Sequence, residues 1–365
     1  MQGATSAQDT GLQSINQNHF PRDLAIAVTL LTTYACLHPF SGWHSIGVGP
    51  FDFLVAPWPR YFTGLDIGLN VLGFAPIGFA WSTALSRGMP PGRRVLIVWI
   101  AATLLSLTIE TIQNYLPTRV ASNIDLFANS AGGLLGAILA LRFGRIFDDN
   151  GALARWRERR ILPGRTGGFG LLVVGLWWVS LLNPSSYLFA NGDLRNLIDL
   201  TPSYVLSGPG FLRVELALTA ANAVAIGLLA RHAMRSPSLL LAATVLLAGI
   251  GVKTLASSLF LVPAQPWHWA TPGGLRGLAI GVALLALFWR ASVHTRHTLI
   301  GLALMTATAL VNLAPDNPYW DAMTRIRQQG HVLNFHGLTE LVGSFWPFFA
   351  LLWLSFGTRR AESVR

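Results

Sequence analysis

Residues 106–139 read SLTIETIQNYLPTRVASNIDLFANSAGGLLGAIL, two apolar runs joined by a short polar connection. Glu110, Gln113, Arg119, Asp125 and Asn129 stand in or beside the ends of those runs. Runs of this kind reach the length of about 20 residues that a helix needs to cross a bilayer. An ionisable group inside such a run costs roughly 2.5 to 3.5 kcal/mol on insertion scales, so it is expected to face protein or water and to mark a site.

The rest of the chain has the same character. Hydrophobic residues make up 52% of the 365 and charged residues only 12%, against about 25% charged in a soluble domain. The sequence therefore predicts an all-α, polytopic transmembrane bundle. About ten spans can be drawn: Leu24 to Pro39, Leu65 to Leu85, Val95 to Gln113, Ile124 to Arg142, Gly168 to Phe189, Phe211 to Ala230, Leu239 to Val262, Leu275 to Trp289, Thr298 to Ala314 and Leu338 to Phe356. Cys36 is the single cysteine and lies inside an apolar run, so neither an internal disulfide nor a cysteine metal site is available.

The formal net charge of +10 follows from orientation rather than from a nucleic acid partner. With both termini cytoplasmic, most of the 26 basic residues fall in inner segments, densest in Arg142 to Arg165. The outer segments hold Arg60, Arg119, Arg195, Arg325 and Arg327. Outer connections are instead rich in rings, among them Trp43, Trp58, Tyr61, Tyr204, Trp267, Trp269, Tyr319 and Trp320, which suit the headgroup level. Asn317 to Phe335 reads as an interfacial helix.

This gives a cytoplasmic tail over 1–23, a four-helix membrane domain over 24–143, a basic cytoplasmic loop over 144–167, a second helical region of about six spans over 168–356, and a cytoplasmic tail over 357–365. The first helix is expected to remain uncleaved, since no small-residue cleavage site follows it. The arrangement predicts a multi-pass membrane protein.

Asp66, Asn70 and Gly73 are spaced i, i+4, i+7 on one face of the second helix, and Asp125, Asn129, Gly132 and Gly136 repeat that order in the fourth. Gly73, Gly132, Gly133 and Gly136 are expected to let neighbouring helices approach closely. Because the second and fourth helices run inward and the third runs outward, Asp66, Glu110 and Asp125 converge near the outer surface. Asn70 and Asn129 lie roughly 6 Å deeper, at about 1.5 Å per residue. Arg119 is the one fixed positive charge beside three acids.

This order, D-x3-N followed by Pro76, then E-x2-Q, Arg119, Asp125, Asn129 and G-G-x-x-G, resembles the VanZ-like family of bacterial membrane proteins, over about Phe51 to Phe143. The resemblance implies an envelope role, with teicoplanin resistance as the family's named phenotype, and Asp66, Asn70, Glu110, Gln113, Arg119, Asp125 and Asn129 as working positions.

The leading expectation is an outer-leaflet polar pocket that engages membrane lipids, a lipid-linked envelope precursor or a lipoglycopeptide. One alternative is an enzyme using Glu110 or Asp125 as acid or base on envelope lipids, although no Ser-His pair, metal cluster or phosphate loop supplies a nucleophile. Another is a proton-coupled transporter, although the acids lie near one surface rather than the midplane. No metal and no cofactor is expected. In the second region, Glu215 with Asn222 and Glu340 with Ser344 loosely repeat the outer pattern, and Lys253 is expected to pair with Glu215 or Glu340.

Overall fold

The computed structural model describes residues 19–45, 47–58, 64–86, 88–144, 151–200, 202, 205–318, 320 and 331–362. The described residues form twelve α-helices and no β-strand. The chain divides into two compact units, Met1–Gly168 and Phe169–Arg365.

The first unit contains α1 (Phe20–Leu37), a 3-10 turn (Asp52–Leu54), α2 (Gly64–Ala84), α3 (Pro91–Gln113), α4 (Asn123–Phe143) and α5 (Ala152–Arg160). Pro91 opens α3, where its missing N–H would have had no intrahelical acceptor. Ser122 caps α4, its hydroxyl accepting from the Ile124 N–H at 3.2 Å.

Helices α2 and α4 cross at backbone contact. A Cβ built on Gly136 would stand 1.9 Å from the Ala75 carbonyl oxygen, and one on Gly132 2.4 Å from that of Val71. Gly78 answers from α2, where a Cβ would meet the Gly133 carbonyl oxygen at 2.0 Å. Gly73 is corrected here: a Cβ there meets nothing within 4 Å, and the α2 face that touches α4 carries Val71, Ala75 and Gly78 instead. Phe74, Ile77, Ala102 and Ile109 fill the core beneath.

The second unit follows with α6 (Gly164–Ser180), which begins at the boundary, then α7 (Arg195–Ile198), α8 (Gly208–Ala233), α9 (Leu239–Phe260), α10 (Pro272–Phe288), α11 (Val293–Leu313) and α12 (His331–Glu362). Helix α8 is its central post, with 67% of its apolar window buried, against 11% for the outlying α1 of the first unit. Trp177, Leu181, Phe189, Trp346 and Trp353 form the core packed around it.

Each of the ten expected spans contains a helix, but the one drawn over Gly168 to Phe189 is helical only as far as Ser180. Seven of the described helices, namely α1 to α4, α8, α9 and α12, are long and apolar enough to cross a membrane. Helices α6 and α10 have only 17 residues each, and α11 opens with His294, Arg296 and His297. The basic connection over 144–167 contains α5, so it is not a plain loop, and α12 continues to Glu362 through the expected tail. The interfacial helix expected over Asn317 to Phe335 has Tyr319 and residues 321–330 outside the described residues, as are Arg60, Tyr61, Tyr204 and the tail up to Asn18.

Candidate functional site

At one end of the first unit, α2 and α4 begin, α3 ends, and the connection over 38–58 lies across the α3–α4 turn. Asn114 Nδ2 donates to the Pro50 carbonyl at 3.0 Å, Asn123 Nδ2 to that of Ala56 at 2.8 Å, and the His44 N–H to Tyr115 at 3.1 Å. This cover of backbone carbonyls was not foreseen from the sequence, because amide-to-carbonyl contacts leave no residue pattern.

Beneath it, Asn70 Nδ2 donates to Asp125 Oδ1 at 2.6 Å, tying α2 to α4. Glu110 is buried, and its Oε2 accepts the Ser122 N–H at 3.0 Å, so the last turn of α3 supports the cap of α4. Glu110 and Asp125 are within electrostatic reach of each other, and both of Cys36. One turn deeper, Asn129 Nδ2 donates to Ser106 Oγ at 3.0 Å, while its buried Oδ1 has no partner among the described residues.

Gln113 bonds to neither Glu110 nor Asp125. Its Nε2 donates to the Cys36 carbonyl at 2.9 Å, which ties α3 to α1. Asp66 stands in the first turn of α2, partly buried, one turn outward of Asn70.

Arg119 forms no salt bridge among the described residues. Its Nη2 donates to the His38 carbonyl, and its Nε is buried without a partner there. Burial pushes the guanidinium below its ordinary value, the expected direction for a cation removed from water. The arrangement therefore separates charge types: the carboxylates are satisfied by amide and backbone donors, and the one cation retains unused hydrogen-bonding capacity. Among the described residues no group of His, Cys, Asp and Glu could hold a metal ion.

The second unit places its polar residues differently from expectation. Lys253 pairs with neither glutamate: its Nζ donates to the carbonyls of Asn183 and Ser186, each at 2.6 Å, and to Ser186 Oγ at 3.0 Å. Glu215 accepts from Thr271 Oγ1, and Glu340 from Asn196 Nδ2 at 2.7 Å. A cavity of about 300 Å3 opens where α6 and α11 end and α8 and α12 begin. The polar runs Asn191-Gly192-Asp193 and Asp316-Asn317, in connections between apolar helices, were the available signal for it.

Residues 6–145 match the family described as VanZ/LLP1. No curated protein and no solved structure matches the chain.

Proposed function

We propose, from the match of residues 6–145 to the VanZ/LLP1 family, that the chain is a multi-pass protein of the bacterial inner membrane whose outer polar cluster engages an amphiphilic envelope component through an anionic group. The supporting observation is the state of Arg119. A half-buried guanidinium without a carboxylate partner among the described residues, in a site where Asp125 and Glu110 accept from Asn70 and the Ser122 N–H, is available for an incoming phosphate or carboxylate. A guanidinium meets such groups with two parallel N–H donors.

In this reading Asp125 and Asn70 hold the α2–α4 seam in register, Glu110 holds the cap of α4, and Asn129 offers its Oδ1 to a hydroxyl or ammonium deeper in the bundle. Membrane lipids, a lipid-linked precursor and a lipoglycopeptide all carry the required chemistry, and a change in teicoplanin susceptibility is the expected phenotype.

The test is the teicoplanin and vancomycin susceptibility of a sensitive Gram-positive host expressing the wild type, Glu110→Gln or Arg119→Ala at matched membrane levels. Charge-assisted hydrogen bonds contribute about 1.5 to 3 kcal/mol, so Arg119→Ala should weaken engagement by about tenfold or more. Protection against teicoplanin that disappears in both variants is the expected outcome. Well-inserted wild-type protein that protects against neither drug would overturn the reading. Because Glu110 and Asp125 are neighbouring carboxylates, turnover of an envelope lipid is the second reading, distinguished by product analysis with the purified protein.

A further inference from the structure

The cavity of the second unit is a site of a different kind from the Arg119 cluster, and its chemistry can be read independently of the function proposed above. Its volume of about 300 Å3 stands at the lower end of the range for small-molecule sites, roughly 300 to 1,000 Å3. That is room for a head group of one or two rings, not for a whole lipid.

Its charge argues against an anion. Arg195 is the cation on its wall, and that charge is already committed. It meets Asp193 through Nε at 3.0 Å and Nη2 at 2.6 Å, and Asp316 through Nη1 at 2.5 Å. These contacts raise its pKa above the ordinary guanidinium value. Glu340 adds a third carboxylate, held by Asn196. A phosphate or carboxylate would meet three acids, against one guanidinium already neutralised and the imidazole of His336.

The remaining groups suit hydroxyls. Asn191 is one of the residues lining the cavity and is 3% exposed; its Nδ2 donates to the Phe189 carbonyl at 3.0 Å, and its Oδ1, beside Gly343, is buried with no partner among the described residues. A buried amide oxygen in that state is the exception in folded proteins and points to a donor supplied from outside. Glu340 carries acceptor capacity beyond its single bond to Asn196. Trp320 and Tyr187 line one wall with ring centroids 4.8 Å apart, an apolar surface beside polar groups. Lys253, by binding the carbonyls of Asn183 and Ser186, fixes the loop that carries Tyr187. At the mouth, the side chains of Asp316 and Asp193 are 75% and 41% exposed, so the cavity has a path to solvent.

Acceptor-rich carboxylates and amides facing an aromatic wall match a ring that has hydroxyl edges and apolar C–H faces. We propose that this cavity binds a neutral sugar, the hexose or N-acetylhexosamine head group of an envelope glycan or glycolipid. The positive-inside reading of the sequence sets the site on the outer side, because the opposite ends of α8 and α11 carry Arg231, Arg235, Arg290 and Arg296.

The test is saturation-transfer NMR with the full chain in nanodiscs, using methyl glucoside, methyl mannoside and methyl N-acetylglucosaminide as probes and glycerol phosphate as the anionic comparator. Two variants accompany the wild type. Asn191→Leu removes the unpartnered oxygen at nearly constant volume. Glu340→Gln removes charge and acceptor capacity while leaving an amide oxygen for Asn196, so it protects the fold if Asn191→Leu does not.

Saturable transfer to at least one glycoside, weakened by about tenfold in each folded variant, is the expected result, the loss of one or two hydrogen bonds. Folded wild type that shows no saturable transfer to any glycoside would overturn the proposal. So would preferential binding of glycerol phosphate, or undiminished binding in the folded variants.

Discussion

Lys253 shows what a buried charge requires. The side chain is fully enclosed, and its three Nζ–H donors find three oxygens on the loop after α6. Each of these oxygens is an acceptor in an ordered loop, so the three ammonium donors are satisfied without a carboxylate. Replacing it by methionine keeps the stem and leaves acceptors buried without donors, at about 1 to 3 kcal/mol for each one that water cannot reach. The Lys253→Met protein should therefore show a clearly lowered thermal midpoint in detergent. Glu215→Gln should add to that loss independently, because the two side chains share no bond. A non-additive double mutant would restore the ion pair that the sequence suggested. That expectation failed for a physical reason: charged residues are visible in a sequence, while the backbone carbonyls that can replace their partners are the same at every position. The Asn70–Asp125 bond was not legible either, because helical spacing sets Asp66 above Asn70 and Asp125 above Asn129, each within its own helix, and does not show which side chains meet across the α2–α4 contact.

Among the elements, the α2–α4 crossing depends on where the backbones touch. Gly132 and Gly136 approach the Val71 and Ala75 carbonyl oxygens too closely for any side chain, and Gly78 approaches that of Gly133. Gly136→Ala should force the helices apart, with a cost of about 1 to 3 kcal/mol of the kind seen on overpacking. Gly73→Ala has open space and should gain up to about 1 kcal/mol from helix propensity. Thermal unfolding of the two variants in one detergent checks the pair, and equal midpoints would mean that the crossing tolerates separation. Here the sequence pattern identified the right helices and, on α4, the right glycines. It misplaced the contact on α2, because the face that meets α4 runs through Val71, Ala75 and Gly78, spaced i, i+4, i+7, and Gly73 stands two residues from Val71, on another side of the helix. The cavity in the second unit left only the polar runs Asn191-Gly192-Asp193 and Asp316-Asn317 as a signal, because its walls come from connections between helices and from the ends of four helices.

At the scale of the whole molecule, both proposals depend on which way the helices run. The connection holding Arg119 and the connections holding Asp193 and Asp316 are poor in basic residues, whereas Arg155, Arg157, Arg159 and Arg160 crowd α5, and Arg231 and Arg235 follow α8. Positive charge retained on the cytoplasmic side would leave each site facing the envelope. Reporter fusions decide this, since alkaline phosphatase is active only outside and green fluorescent protein fluoresces after folding inside. Fusions ending at Arg160, Arg235 and Ser292 should fluoresce, and those ending at Thr118, Asp199 and Pro315 should show phosphatase activity. The three helices that fall short in length or apolarity, α6, α10 and α11, are where the alternation is most exposed to failure. If α10 and α11 entered and left on one side as a shallow pair, the fusion at Ser292 would report outside while those at Asp199 and Pro315 kept their sign, and both sites would still face the envelope. If α6 failed to cross, every fusion from Asp199 onward would reverse. The cavity lined by Asn191 and Glu340 would then open to the cytoplasm, where an envelope glycan could not reach it, while the Arg119 cluster in the first unit would keep its orientation.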